Sequence, residues 1–333
     1  MRNVVCKIIV CTSLTLAEGL GEIQGTSAQS ATAQARGARP ALTTLETLPV
    51  QGGVHVIVGA GANVVVQVGP LGSVVVDAGV RERGTEVLDA IRTLSRAPIR
   101  FIINTHAHPD HVGANELLAA SGAGIGNRAV AAVGSGHVGR PEIVAHELVL
   151  SRMSAAGEGA PVGSWPTTTF SLEEKVLFVN GEGIQIIHQP VAHAEGDSLV
   201  FFRRSDVIAA GDLFSMESYP IIDIEHGGSI TGVLAGLNRL LKLAISGEKV
   251  EGGTMIVPGH GRISDEADLV EYRDMVTIVR ERVDDLIRKG MTLAQVQAAR
   301  PTLEYDGLYG RAPDWTAEQF VEAVYRTARP TSP

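Results

Sequence analysis

Residues 106–111 of the chain read His-Ala-His-Pro-Asp-His and hold four side chains that can bind a metal. They directly follow an apolar run at residues 99–104, which reads as a buried strand. Side chains two residues apart share a face of an extended chain, so His106 and His108 can point the same way. The run therefore predicts a pair of ligands held at the end of a rigid element.

The other two side chains of this run, Asp110 and His111, fall on the turn beyond the strand. They can face a neighbouring point in space, so that a second ion is held beside the first. Imidazole and carboxylate groups are ligands of zinc and related ions. A polar surface loop is the alternative interpretation, but three histidines and an aspartate in so short a run favour a site for two ions.

The composition bounds the class of protein. A chain of 333 residues can form one large domain or two small ones. Hydrophobic residues make up 44% and aromatic residues only 4%, so the core must rest on aliphatic side chains, as in sheets covered by helices. The net charge of −9, with no basic stretch, argues against a nucleic-acid partner. No apolar run is long enough to predict a membrane span, and we expect a small-molecule substrate.

Residues 1–37 read as a leader. Arg2 and Lys7 flank a modest apolar stretch at residues 8–17, and a Ser/Thr/Ala/Gln-rich segment follows, ending near residues 33–35. This order predicts a secretory signal, and hence a periplasmic or secreted protein. A disordered leader on a cytoplasmic protein is the alternative.

The chain has two cysteines, Cys6 and Cys11, and both fall in the leader. The rest of the chain therefore can form no disulfide and offers no thiolate to a metal.

Beyond the leader, β-rich and helical patterns alternate twice. Three valine-rich strands separated by glycine turns predict an antiparallel meander, and an amphipathic helix at residues 82–95 follows. A second β-rich half includes a hairpin across Asn180-Gly181 and leads into further helices. The pattern suggests two sheets face to face with helices outside. The predicted strands are 54–58, 63–68, 73–77, 99–104, 143–146, 175–179, 183–188, 198–203, 206–210 and 254–257, and the predicted helices are 82–95, 112–120, 147–155, 229–245, 266–289, 293–299 and 316–327.

Three later positions place an acid or an imidazole immediately after a predicted strand, namely His193, Asp212 and His260. Strand ends present functional side chains to a shared rim. Glycine beside Asp212 and His260 permits close backbone approach. Each residue alone could be a loop, turn or capping residue. With the run at 106–111 already in need of partners, all three become candidate ligands.

With these residues in place, the chain resembles the metallo-β-lactamase-fold hydrolases from roughly residue 42 onward. The resemblance implies an α/β fold, a four-layer αββα sandwich of two mixed β-sheets face to face with helices outside. One hydrolase domain, residues 41–333, would include the C-terminal helices. The family's HxHxDH signature and its three later ligands fall on His106, His108, Asp110, His111, His193, Asp212 and His260.

The same resemblance implies two divalent cations, Zn²⁺ or alternatively Mn²⁺ or Fe²⁺. His106, His108 and His193 would hold the first ion and Asp110, His111 and His260 the second, with Asp212 bridging. Ions roughly 3.5–4 Å apart can hold a hydroxide near neutral pH that attacks a carbonyl. Asp110 would orient this nucleophile and carry a proton to the leaving group.

The leading hypothesis for the substrate is a cyclic amide or ester, either β-lactam-like or a lactone. Asp212 as a bridge resembles the lactonase and thioesterase branches, and the missing thiolate separates the chain from β-lactamases that bind zinc through cysteine. A glyoxalase II-like thioesterase is the alternative. A non-hydrolytic metal-binding or redox protein on the same fold is a further alternative.

Several other residues are candidates for supporting roles. Ser218 and Tyr219 could donate hydrogen bonds to the substrate, although Tyr219 could equally pack against the rim. Asp77 could hold the metal loop by hydrogen bonds, with a turn role as the alternative, and Asp197 could orient a ligand imidazole. Residues 134–165 could form a lid in which Met153 and Trp165 contact the substrate. The histidines without a partner motif, treated as structural or surface residues, are His55, His137, His146, His188 and His226.

Overall fold

The computed structural model describes residues 44–124, 139–155, 160–249 and 252–328. The predicted leader, both cysteines and residues 134–138 of the predicted lid lie outside these residues. All described residues belong to one compact unit. Its strands are β1 (Glu46–Gln51), β2 (Val54–Ala60), β3 (Ala62–Gly69), β4 (Gly72–Val76), β5 (Ile99–Ile103), β6 (Glu142–His146), β7 (Thr168–Phe170), β8 (Glu174–Val179), β9 (Glu182–His188), β10 (Ser198–Phe202), β11 (Val207–Ser215) and β12 (Met255–His260), and its α-helices are α1 (Gly84–Leu94), α2 (Pro109–Val112), α3 (Asn115–Ser121), α4 (Glu147–Ser154), α5 (Ile230–Leu243), α6 (Glu266–Arg288), α7 (Leu293–Ala298), α8 (Asp306–Tyr309) and α9 (Ala317–Thr327).

The strands form two mixed sheets. The first runs in chain order from β1 to β7, antiparallel as far as β4 and parallel from there on. The second has the order β12-β11-β10-β9-β8, and its β11 and β12 are parallel while the other pairs are antiparallel. Parallel neighbours place their carboxyl ends at the same edge of a sheet.

Three clusters of buried apolar side chains lie between the layers. Because side chains alternate along each strand, neighbouring residues of one strand belong to different clusters. In β3, Val65 faces the cluster between the two sheets, whereas Val64 and Val66 face the cluster beneath α1 and α3. In the second sheet, Ile187 and Leu199 point outward into the cluster that α5, α6 and α9 cover. Helices therefore lie outside both sheets, which confirms the predicted αββα sandwich.

Two strands that the sequence did not predict complete the first sheet. β1 is an edge strand with Pro49 at an irregular register, and β7 has only three residues. In β1 the apolar alternation is limited to Leu48 and Val50, on either side of Pro49, and β7 (Thr-Thr-Phe) is too short to show one. The short α8 was also not predicted.

The metal-site strands are longer than predicted, and the helix after residues 106–111 is divided. β11 continues through Asp212 to Ser215, and β12 reaches His260. The predicted helix 112–120 is two helices, α2 and α3, separated at Gly113. A Cβ atom at Gly113 would lie 2.5 Å from the Arg81 backbone nitrogen, so glycine is needed there for the close approach of the two backbone segments.

Among the described residues, none of the helices is both long enough and apolar enough to cross a bilayer.

Candidate metal centre

The fold brings the seven predicted ligands together at the carboxyl ends of the strands. His106 and His108 follow β5, Asp110 and His111 lie on α2, and His193 lies in the loop after β9. Asp212 lies within β11 and His260 ends β12. The two sheets thus bring together side chains that lie up to 154 positions apart in the sequence, from His106 to His260.

The first group contains His106, His108, His193 and Asp212, with one potential ligand atom from each lying within 4.8 Å of the others. His108 Nδ1 lies 3.0 Å from His106 Nε2 and 2.9 Å from His193 Nε2. All four side chains are buried. Three imidazole nitrogens therefore converge on one point.

The second group contains Asp110, His111 and His260. His260 Nε2 lies 3.2 Å from Asp110 Oδ2, and His111 Nε2 lies 4.0 Å from the same oxygen. The Asp110 side chain is 22% exposed, whereas that of His111 is fully buried. Asp110 is therefore the acid through which this group faces solvent.

Asp212 joins the two groups because each of its oxygens faces a different one. Oδ1 lies 3.2 Å from His111 Nε2 and 3.3 Å from His260 Nε2. Oδ2 lies 3.7 Å from His193 Nε2 and 3.9 Å from His106 Nε2. A carboxylate in this position can bridge two cations.

Outer hydrogen bonds fix which ring nitrogens carry hydrogen. His108 Nε2 donates to Asp223 Oδ2 at 2.9 Å, and His193 Nδ1 donates to the Ile221 carbonyl at 2.7 Å. His111 Nδ1 donates to Asp77 Oδ2 at 2.7 Å. Because these acceptors have no hydrogen of their own, the inner nitrogens of the neutral rings carry lone pairs. The facing lone pairs of His108 Nδ1 and His193 Nε2 lie 2.9 Å apart, and a proton or a metal cation between them would relieve their repulsion.

The buried polar atoms at the centre fit such cations. Asp212 Oδ2 is buried without a hydrogen-bond partner, and Asp212 Oδ1 faces two ring nitrogens, His111 Nε2 at 3.2 Å and His260 Nε2 at 3.3 Å. Leaving buried polar groups unpaired is costly, and native structures rarely do so. Nitrogen and carboxylate oxygen are the donors that zinc and other divalent transition metals accept. The residues therefore could hold two metal ions.

The charges of the protein alone pull protons toward this centre. Burial lowers the pKa of His111, but the carboxylates of Asp212, Asp77 and Asp110 outweigh it and hold that pKa well above its usual range. Burial, together with the neighbouring imidazoles, holds the pKa of His106 well below its usual range. The negative charge is thus concentrated around His111, where it would attract a cation.

Asp77 makes hydrogen bonds to the segment that carries His106 and His111. Its Oδ1 accepts from the Thr105 backbone N–H at 2.8 Å, and its Oδ2 accepts from the Thr105 hydroxyl at 2.8 Å and from the His111 ring. The Thr105 hydroxyl in turn lies 3.1 Å from His106 Nδ1. One buried carboxylate therefore orients ligands of both groups.

Asp197 lies beside His193, but it contacts the backbone of that loop and not the imidazole that it was predicted to orient. Its Oδ2 accepts from the Ala194 backbone N–H at 2.9 Å, so it holds the backbone of the loop that carries His193. The His193 ring is instead oriented by the Ile221 carbonyl. Burial raises the pKa of Asp197 well above its usual range.

The position of Tyr219 contradicts its predicted contact with substrate. Tyr219 is fully buried and stacks on Phe320 with ring centroids 4.8 Å apart. Its hydroxyl lies 2.9 Å from Asp306 Oδ1 and 3.2 Å from the Thr302 carbonyl. Tyr219 therefore packs in the core beneath the C-terminal helices, and neither the predicted hydrogen bond to substrate nor the alternative of packing against the rim describes its position.

Ser218 is also fully buried, and its hydroxyl lies 3.4 Å from that of Ser215. The predicted hydrogen bond from Ser218 to substrate is therefore not supported. The chain after Asp212 is β-strand as far as Ser215, with Leu213 and Phe214 buried, whereas Met216 is partly buried and Glu217 is exposed.

The described part of the predicted lid is regular structure. β6 and α4 fill residues 142–154, and Met153 is buried against Val149 and Ala145. The Trp165 ring nitrogen donates to the Ala160 carbonyl at 3.0 Å. Met153 is thus a core residue, while residues 134–138 and 156–159 lie outside the description.

Asp223 and Arg152 lie beside the candidate centre, and the sequence analysis did not identify either of them. Asp223 accepts from the His108 ring, lies 3.1 Å from the Arg152 guanidinium and accepts from His226 Nδ1 at 2.8 Å. Burial opposes it, but these cationic and donor partners hold the pKa of Asp223 well below its usual range. The two residues come from α4 and from the loop before α5, so only the folded structure brings them to His108.

Comparisons with known proteins agree with this architecture. The family model of the metallo-beta-lactamase superfamily matches residues 57–261. No curated protein sequence matches the chain. Solved structures match at low identity, which shows the fold alone.

Among these structures is a metallo-beta-lactamase from Pontibacter korlensis, with a TM-score of 0.52 and 17% identity over 70% of this chain and 99% of that one. DIM-1 metallo-beta-lactamase gives a TM-score of 0.51 and 17% identity over 70% and 97%. The stereoselective inverting sec-alkylsulfatase Pisa1 from Pseudomonas sp. gives 0.59 and 16% identity over 85% of this chain and 50% of its own. The chain thus spans about half the length of that sulfatase.

Proposed function

This chain belongs to the metallo-beta-lactamase superfamily, and we propose that it is a hydrolase with a two-cation centre that attacks the carbonyl of a cyclic amide or ester. The observation that carries the proposal is the placement of Asp212, whose two oxygens face two separate ligand groups. We propose zinc as the metal because the ligand set combines imidazole and carboxylate.

Bound cations would supply a hydroxide nucleophile near neutral pH and polarise the substrate carbonyl. The protein's own part is to hold the ligands in place before the substrate arrives, and Asp77, Asp223 and the Ile221 carbonyl do this for His111, His108 and His193. Orientation of this kind supports both affinity and activity.

Asp110 is proposed as the catalytic acid–base. Burial opposes its ionisation, but His111 and His260 outweigh burial and hold the pKa of Asp110 well below its usual range, so the group is a carboxylate. Its partial exposure lets one oxygen meet the nucleophile and the substrate. Asp110 would accept a proton there and pass it to the leaving nitrogen or oxygen.

The substrate class rests on the ligand set. The proposed ligands are imidazoles and carboxylates, and the described part of the chain contains no cysteine that could add a thiolate to them. Together with the bridging Asp212, this composition favours a lactone or β-lactam-like substrate. A thioester, attacked at the same kind of carbonyl carbon, is the second candidate.

The experiment compares the metal-loaded protein with protein stripped by a chelator, on a lactone, a β-lactam, a thioester and a secondary alkyl sulfate. The proposal expects hydrolysis of a lactone or β-lactam, its loss on stripping and its return with Zn²⁺. Undiminished hydrolysis by stripped protein would refute the metal mechanism. Turnover of the thioester or the sulfate alone would refute the proposed substrate class and leave the metal mechanism in place.

A further inference from the structure

Asn63 lies at the start of β3 and holds the backbone on both sides of His260. Its side-chain Nδ2 donates to the Pro258 carbonyl at 2.9 Å and to the Gly261 carbonyl at 2.9 Å. The residue is 8% exposed and belongs to the first sheet, whereas His260 belongs to the second. Nothing in the sequence pattern marks Asn63, which is separated from Pro258 by 195 residues.

The turn that carries His260 is otherwise held from the side of β11, where the Met216 N–H donates to the His260 carbonyl at 3.2 Å. β12 is an edge strand, so β11 is its one neighbour in the sheet, and their register shifts at Gly211 and again before Ser215. Gly261 adopts a φ of +103°, which turns the chain back until Ser264 pairs with Ile256. The pair Ile256–Ser264 closes the base of this turn, and Asn63 holds its tip.

The two hydrogen bonds of Asn63 support the second ligand group more directly than the first. His260 completes the second group with Asp110 and His111. The first group is held by different partners, among them Asp223 and the Ile221 carbonyl. A loosened turn would therefore displace His260, a residue of the second group, more than the three histidines of the first group.

We propose that Asn63 is a positioning residue for His260, which fixes the β12 turn so that the second cation-binding group is formed before the cation arrives. This inference rests on the proposed two-cation centre. Outer partners that orient metal ligands typically contribute roughly 10- to 100-fold in metal affinity.

The test is a Co²⁺ titration of metal-stripped protein, followed by absorption and calorimetry, for the unmutated protein, Asn63→Ala and Asn180→Ala. Asn180 is a matched control, since its Nδ2 also donates two hydrogen bonds, to Gln67 Oε1 at 2.9 Å and to the Gly72 carbonyl at 2.8 Å. It adopts a φ of +57°, so its replacement by alanine adds backbone strain as well. A loss of metal affinity in Asn63→Ala that is absent from Asn180→Ala therefore reflects displacement of His260 and not a general loss of stability.

The proposal expects Asn63→Ala to bind the first Co²⁺ as the unmutated protein does and the second about 10- to 100-fold more weakly. Asn180→Ala should bind both normally. In a His260→Ala background, Asn63→Ala should leave the affinity for the remaining ion unchanged. Should Asn63→Ala not fold, Asn63→Ser, which keeps one hydroxyl donor, is titrated in its place.

Equal affinities for the second ion in Asn63→Ala and in the unmutated protein would overturn the role of Asn63 alone. An equal weakening in Asn180→Ala would overturn it too, because the effect would then follow stability. Binding of a single Co²⁺ by the unmutated protein would overturn the two-cation centre, and the role of Asn63 with it.

Discussion

Asp212 illustrates what the sequence can predict about the role of a single side chain. Its place after a strand made Asp212 a candidate ligand, the family resemblance implied a bridging role, and in the structure its two oxygens face the two ligand groups. The outer partners Asp223 and Asn63 could not be predicted, because a hydrogen bond to a distant ring or carbonyl leaves no local pattern in the chain.

Replacement of Asp212 by alanine should remove the link between the two groups. We expect bound metal to fall from two ions toward one and hydrolysis to fall by more than the roughly 10- to 100-fold that follows loss of an outer partner. Metal analysis and steady-state kinetics measure both. Asp89→Ala, an exposed residue paired with Arg92 on α1, is the control and should retain two ions; a full complement of two ions in Asp212→Ala would contradict the bridging role.

Tyr219→Phe tests the corrected position of that residue. The buried hydroxyl lies beside Asp306 and the Thr302 carbonyl, so its removal should lower the free energy of unfolding by about 1–2 kcal/mol. KM should not change, because the side chain does not reach the substrate. Denaturant unfolding and kinetics on the same variant decide the matter, and a raised KM with unchanged stability would restore the role in substrate binding.

Among the secondary-structure elements, β11 departs most from its prediction. Gly211 and Asp212 are poor strand formers, so the sequence predicts that the strand ends there. The strand nevertheless continues, because Leu213 and Phe214 are buried against the outer helices and the register shifts at Gly211. Burial outweighs local propensity at this position, and the irregularity turns Asp212 toward the metal centre.

Gly211→Ala should disturb both the strand and the centre. Gly211 has a φ of +53°, and a Cβ atom there would lie 2.9 Å from the Cβ and Oγ1 atoms of Thr105, which bonds to Asp77. We expect the free energy of unfolding to fall by about 1–3 kcal/mol, together with weaker metal binding.

Gly307→Ala is the matched control for this substitution. Gly307 lies in α8, and a Cβ atom added there would meet no atom within 4 Å. Its replacement should therefore leave the stability equal or slightly higher, since alanine is the better helix former. If thermal unfolding gives the same change for the two variants, strain at Gly211 is not the cause.

The layered architecture of the whole molecule follows from the patterns of the strands and helices and from the family motif, and it was predicted correctly. The contacts between side chains of the two sheets were not predicted. His146 ends β6 in the first sheet and His188 ends β9 in the second, yet their rings stack with centroids 3.7 Å apart and planes 4° apart. Only the packing of one sheet on the other creates this pair.

The stacked pair predicts a dependence of stability on pH. Burial, reinforced by His146, lowers the pKa of His188 to about 4, whereas an unfolded histidine has a pKa near 6.5. Between these values the unfolded chain binds more protons than the folded one, so stability falls as the pH is lowered from about 6.5 to about 4. A difference of one bound proton changes the free energy of unfolding by at most about 1.4 kcal/mol per pH unit. Because His188 is only partly buried, solvent screening keeps its contribution below that limit.

His188→Gln should make this dependence shallower. Urea unfolding between pH 4 and pH 7 in the presence of a chelator measures it without a contribution from metal release. An unchanged pH slope in the variant would show that His188 titrates alike in the folded and unfolded chains.

Anomalous diffraction from crystals grown with zinc tests the two-cation centre most directly. We predict two zinc peaks, one among His106, His108 and His193 and one among Asp110, His111 and His260, with one oxygen of Asp212 bound to each. A single peak, or zinc bound away from Asp212, would contradict the proposed hydrolase.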